Sequence, residues 1–202
     1  MLKRVPTIQT YFTSEDLIKE LISNWILIYK KTPKKEQIGV IYSQWALETG
    51  QGLYCWNFNI GNLKAADDPN KIIEYCVLNG VWEIINNKRV IIPPENPGSW
   101  FRSFATLADG IAHHLEFLRN KRYKNSWVAV ENGNPAEFAH LLKMAGYYTA
   151  SEADYIKAIN TYFNIYMKMN AFENVIKNLP MPKIESKSNI KLVLEKFWPF
   201  KK

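Results

Sequence analysis

Glu48 is the residue whose type and position point most directly to chemistry. It falls at the end of a helical pattern that begins at about Pro33 and carries an apolar stripe of Ile38, Ile41, Tyr42 and Trp45. On a 3.6-residue period Glu48 projects from that same stripe, one turn beyond Trp45. A carboxyl on a core-facing stripe at a helix C-terminus is disfavoured as an anion, because desolvation and the negative end of the helix dipole both raise its pKa. A carboxyl that keeps its proton near neutral pH is what a general acid requires. The competing reading is a helix that has already ended, leaving Glu48 in water. The residues that follow favour the first reading. Gly50 and Gly52 lead into Tyr54, Trp56, Asn57, Asn59 and Asn62, the small, aromatic and amide composition of a cleft wall that stacks on and hydrogen-bonds to a sugar.

The segment Ser43-Gln44-Trp45-Ala46-Leu47-Glu48-Thr49-Gly50-Gln51-Gly52, followed by Asn57-Phe58-Asn59-Ile60-Gly61-Asn62-Leu63-Lys64-Ala65, resembles the catalytic signature of the glucosaminidase-type peptidoglycan hydrolases. These are the flagellar and autolysin wall hydrolases of the lysozyme-like superfamily. Two later segments fit the same family in the same order: Phe101-Arg102-Ser103-Phe104 running into Leu107-Ala108-Asp109-Gly110-Ile111, and Ala145-Gly146-Tyr147-Tyr148-Thr149-Ala150 ahead of Tyr155. The likeness extends over roughly Ser14 to Tyr166. It implies a lysozyme-like fold, cleavage of a β-1,4-linked N-acetylhexosamine polymer, Glu48 as the acid, and Tyr147 or Tyr148 lining the sugar site. Trp56, Asn57, Asn59, Tyr147, Tyr148 and Tyr155 are together the residues expected to seat the N-acetyl sugars. Trp45 inside the Glu48 helix and a Pro-rich loop before Phe101 depart from the commonest family pattern. The second catalytic group and the choice between glucosaminidase and muramidase cleavage therefore stay open. Lytic transglycosylation, and a non-catalytic glycan-binding protein on the same fold, are the alternatives.

A two-carboxylate hydrolysis needs a base or nucleophile opposite the acid. Ile72 to Leu78 and Val81 to Ile85 read as strands joined by Asn79-Gly80, a strong hairpin signal. In that register Cys76 faces Glu83 and Glu74 faces Ile85, so Glu74 and Glu83 share the more polar face. Glu74 is preferred, because relatives place an acidic residue near the first strand of this sheet. Glu83 is the second candidate and Glu95 a third, and the substrate's own acetamido oxygen is the route that needs no second carboxylate.

The elements that must position these groups are mostly helical. One helix runs from about Ser14 to Lys31, capped by Thr13 or Ser14 and stopped by Pro33; the next carries Glu48. After the β-rich middle, which ends with Lys88 to Ile92, a helix spans Thr106 to Asn120. Asn134-Pro135 opens another that Gly146 closes, and Ser151-Glu152-Ala153-Asp154 opens a last one to about Met169. The fold class is α+β, mainly α: a helical domain with a small antiparallel sheet or hairpin inserted, over residues 1–179, followed by a basic tail at 180–202.

The chain has 202 residues, with 47% hydrophobic and 22% charged, which excludes wholesale disorder. No apolar run is long enough to cross a bilayer, and the first residues lack a secretory h-region. The expectation is therefore a monomer acting on the bacterial wall, phage-encoded or exported by a non-signal route. The net charge of +7 favours an anionic partner, here peptidoglycan glycan strands. Six lysines against two glutamates between Lys183 and Lys202 make the tail a candidate for docking on a wall, membrane surface or protein. Arg119 to Lys124 reads as a solvated helix end rather than a nucleic-acid site. His113 and His114 diverge by about 100° on a helix and do not suit one metal ion. No cofactor is expected, and Cys55 and Cys76 read equally as a disulfide or as free thiols.

Overall fold

Two N-terminal helices form the centre of the molecule. The computed structural model describes residues 1–66, 71–85 and 88–179. Helix α1 (Ser14–Tyr29) starts at a capping box: Thr13 Oγ1 accepts from the Asp16 backbone N–H, and the Asp16 carboxylate accepts from the Thr13 N–H. It buries Leu17, Ile18, Leu21, Ile22 and Trp25. Helix α2 (Lys35–Thr49) is enclosed on nearly every side, with all residues from Gln37 to Ala46 buried. The apolar stripe expected there is thus part of a wider buried surface. Its polar members need partners, and Ser43 Oγ donates to the Val40 carbonyl at 2.7 Å.

Around this pair pack α3 (Leu107–Arg119), α4 (Lys124–Glu131), α5 (Pro135–Met144), α6 (Glu152–Met167) and α7 (Ala171–Asn178). Thr106, Asn134 and Ser151 cap α3, α5 and α6 through side chains that accept from backbone N–H groups three residues on. Helices α4 and α7 lie outside the sequence expectation; each is 8 residues, too short for a clear apolar period. Helices α1, α2, α4, α5 and α6 converge on one core that includes Trp25, Tyr42, Trp45, Trp127, Phe138 and Tyr166.

The strands are β1 (Leu2–Arg4), β2 (Ile73–Val77), β3 (Trp82–Ile85), β4 (Lys88–Ile91) and β5 (Trp100–Arg102). The sheet corrects the sequence reading in one respect. Asn79-Gly80 does form a turn, but β2 and β3 do not pair across it. Strand β2 lies between β1, in parallel, and β5, antiparallel, and Cys76 faces Phe101. Strand β3 pairs with β4, so Glu83 faces Val90. The reason lies at the turn's two ends. Leu78 N–H donates to the Ser99 carbonyl and extends the β2–β5 ladder, while Ile92 N–H donates to Val81 and extends β3–β4. The turn therefore moves the chain from one sheet to another. The proposed shared face of Glu74 and Glu83 does not exist. Cys55 and Cys76 are both free and buried.

Among the described residues no helix is long and apolar enough to cross a membrane. The basic tail at 180–202 lies outside the described residues.

Candidate active site

Glu48 occupies the last turn of α2, ahead of the left-handed cap at Gly50, so the reading that places it beyond the helix does not hold. The carboxyl is half-buried, and Tyr155 Oη donates to Glu48 Oε1 at 2.9 Å. Burial is the dominant influence and pushes its pKa up to about 7; the Tyr155 hydrogen bond pulls the other way. Glu48 in turn raises the pKa of Tyr155 and Tyr147, whose own burial already holds both phenols protonated. Tyr155 is thus a fixed donor to the carboxyl.

Three further contacts position this carboxyl. Tyr148 stacks on Tyr155 with ring centroids 3.8 Å apart and planes 7° from parallel. Tyr147 Oη donates to the Gly61 carbonyl at 2.9 Å, fastening the α5–α6 connection to the loop after α2. Asn62 Nδ2 donates to the Glu48 backbone carbonyl and ties that loop to the end of α2.

The remaining expected residues divide. Trp56 is half-buried, with its backbone bridged to Gln9. Asn57 and Asn59 spend their amides on backbone groups of neighbouring segments. Asn57 Oδ1 accepts from Ile8 N–H and its Nδ2 donates to the Pro6 carbonyl, both at 2.9 Å. Asn59 holds Leu63 and Arg102 backbone groups in the same way and is 1% exposed. Their sugar-binding role gives way to a bracing one. The loop needs it, because Asn57, Phe58 and Asn62 all have positive φ (47°, 53° and 50°).

Glu74 and Glu83 are each paired with lysine. Lys3 Nζ lies 2.6 Å from Glu74, and Lys64 Nζ lies 3.5 Å from Glu83. Neither carboxylate contributes to the raised pKa of Glu48. Glu74 lines a separate hollow of about 220 Å³ with Val5, Pro6, Phe58 and Phe104, and Glu48 is not in its wall. Lys64 belongs to the segment that follows Asn62 and bridges to Phe101 of β5. Glu95 is exposed on its loop.

Sequence reasoning missed one pair one turn back from Glu48. Gln44, one turn before Glu48 on α2, accepts at Oε1 from His114 Nε2–H across 3.0 Å. Burial drives the His114 pKa down to about 4, so the imidazole is neutral. A buried polar residue one turn before Glu48, on the same face of the helix, was the available signal. His113 points elsewhere, against the Phe104 ring at 5.1 Å. Among the described residues no group of His, Cys, Asp and Glu is arranged to hold a metal ion.

Solved structures share the fold that carries this carboxyl. A peptidoglycan hydrolase mutant from Sphingomonas sp. A1 is similar with a TM-score of 0.52 and 16% identity, over 82% of this chain and 100% of that one. The C-terminally truncated glycoside hydrolase domain of Salmonella typhimurium FlgJ is similar with a TM-score of 0.49 and 18% identity, over 78% of this chain and 99% of that one. The first of these shows the shared fold, an α+β, mainly α lysozyme-like domain. No curated protein matches the chain significantly. A profile of the Glucosaminidase family, described as mannosyl-glycoprotein endo-beta-N-acetylglucosaminidase, matches residues 29–168. That match covers well over half of the sequence and includes Glu48, Tyr147, Tyr148 and Tyr155, and the chain belongs to the Glucosaminidase family of glycosidases.

Proposed function

We propose that this glycosidase cleaves the β-1,4-linked N-acetylhexosamine backbone of bacterial peptidoglycan, with Glu48 as the general acid. The observation that carries the reading is the balance at Glu48. Burial keeps the proton on the carboxyl to about pH 7, while the Tyr155 hydroxyl waits to stabilise the anion that forms when the proton leaves. An acid poised near the working pH contributes roughly 10²–10⁴-fold to the rate. Glu48 donates its proton to the glycosidic oxygen, the bond to the anomeric carbon breaks, and Tyr155 strengthens its hydrogen bond as charge develops on Oε1. Tyr147, Tyr148 and Trp56 supply aromatic surface to the sugars. The net charge of +7 draws the enzyme to anionic wall polymers.

For the second group Glu83 is better supported than Glu74. Its lysine partner lies on the segment fastened to the Glu48 helix through Asn62, whereas Glu74 faces the N-terminal hollow. An anionic Glu83 is the base that activates water or the nucleophile at the anomeric carbon. Lysis of purified sacculi tests both assignments. Glu48→Gln should abolish clearing, and Glu83→Gln should do so far more than Glu74→Gln. If both Gln variants at the second site clear at full rate, the acetamido group of the substrate replaces them. Mass spectrometry of the released fragments should find reducing ends. Anhydro ends would mean transglycosylation, and no cleavage by the wild type would mean a binding protein.

A further inference from the structure

The cations between α3 and α4 are left without a role by the chemistry above, and one of them reaches the site. Arg122 Nε donates to the Ala145 carbonyl at 2.8 Å, and Nη2 donates to the Gly146 carbonyl at 3.2 Å. These are carbonyls at the C-terminal end of α5, where helical partners run out and a cation is favoured. At the other end of the same connection Lys143 Nζ donates to the Thr149 and Ala150 carbonyls at 3.1 and 2.7 Å. The strap from Ala145 to Ala150 is therefore fastened by a cation at both ends. Tyr147 and Tyr148 lie between the two fastenings. The packing at Arg122 is close: Gly146 has a φ of +70°, and a Cβ there would stand 2.9 Å from Nη2.

We propose that Arg122 is a positioning residue for the acid: by tying down Ala145 and Gly146 it sets where Tyr147 and Tyr148 stand against Gly61 and Tyr155, and so where Tyr155 meets Glu48. The inference rests on Glu48 being the acid. A guanidinium fork suits this work because it serves two carbonyls at fixed geometry, which a single ammonium does not. Its plane also lies 5.3 Å from the Tyr123 ring, which meets Tyr147 edge-on at 5.8 Å. Freed of Arg122, the strap would shift its tyrosines and admit water beside Glu48. The titratable groups facing Glu48 are Tyr147 and Tyr155, both neutral, so two effects remain: rehydration lowers its pKa and a weaker Tyr155 bond raises it, and burial is the larger influence, so the net movement is downward.

The test compares Arg122→Ala, Arg122→Lys and Lys121→Gln in the full chain, with Lys121 as an exposed cation of the same cluster that makes no bond to the strap. Cleavage of purified glycan strands is followed from pH 5 to 9, well below each variant's melting temperature. Arg122→Ala should lower kcat about tenfold to a hundredfold, the range expected when a reacting group is misplaced by up to about 1 Å. Its alkaline limb should move to lower pH. Arg122→Lys should recover part of both, and Lys121→Gln should match the wild type. A lowered melting temperature with kcat and the alkaline limb unchanged would reduce Arg122 to a scaffold residue and overturn the proposal. Full activity of Glu48→Gln would instead overturn the reading beneath it, whatever Arg122→Ala does.

Discussion

Replacing Glu48 with Gln should remove activity and at the same time stabilise the protein at alkaline pH. The carboxyl titrates at about 7 in the folded protein, against an ordinary value of 4.5. A folded pKa above the unfolded one means that the protonated form suits the fold. The associated stability is fully present below about pH 4.5 and is lost as pH rises towards 7, because only the unfolded chain ionises in that window. At 1.36 kcal/mol for each pH unit of that window, the wild type gives up about 3 kcal/mol by pH 8. Gln has the same shape, keeps an oxygen for the Tyr155 hydroxyl and never ionises. The variant should therefore equal the wild type near pH 4.5 and exceed it by about 2–3 kcal/mol at pH 8.5, or roughly 4–12 °C in melting temperature for a chain of this size. Urea denaturation at pH 4.5, 6.5 and 8.5, followed by tryptophan fluorescence, measures the difference, and the other titrating groups cancel between the two proteins. A difference that is the same at every pH, or a less stable variant at pH 8.5, would refute the reasoning, because the carboxyl would then be ionised in the fold without cost.

Tyr155→Phe removes the bond that restrains the Glu48 pKa, so burial acts unopposed and the alkaline limb of the rate profile should rise by about 1–2 pH units, given the roughly 1.5–3 kcal/mol typical of a hydrogen bond to a charged group. A limb that stays in place or moves to lower pH contradicts this. Gly110→Ala places a Cβ 2.0 Å from the Phe58 carbonyl oxygen, a backbone atom with little room to move. Overpacking of about 3 kcal/mol predicts a calorimetric melting temperature lower by about 6–12 °C, and a change under about 2 °C would contradict it. The His114 pKa is lowered from 6.5 to about 4, so its contribution to stability is present above pH 6.5 and lost as pH falls towards 4. His114→Gln should flatten that acid-side loss in urea titrations, and an unchanged pH slope would show that the loss arises elsewhere.

The sequence carried the placement of Glu48 clearly and its surroundings unevenly. Glu48 was legible because a helical period fixes direction within a turn, and three residues beyond a buried Trp45 leaves few places for a side chain to point. The caps of α1, α5 and α6 were legible for the same local reason. Strand pairing was not. Asn79-Gly80 specifies a turn, but the partners of β2 are β1 and β5, three-residue strands far along the chain whose identity depends on the closed fold. The amides of Asn57 and Asn59 also misled, because composition does not distinguish an amide offered to a sugar from one bracing a left-handed loop. Arg122 reads in sequence as one cation among several, and only the fold brings the α5 carbonyls to it.

The account turns on whether one carboxyl holds its proton where others do not, and carbon-13 NMR of the glutamate side chains across pH 3 to 9, in wild type and Glu48→Gln, tests that directly. One carboxyl resonance should titrate near pH 7 in the wild type and be missing from the variant. If every glutamate titrates below about pH 5, Glu48 is an ordinary carboxylate and the proposed acid catalysis is wrong.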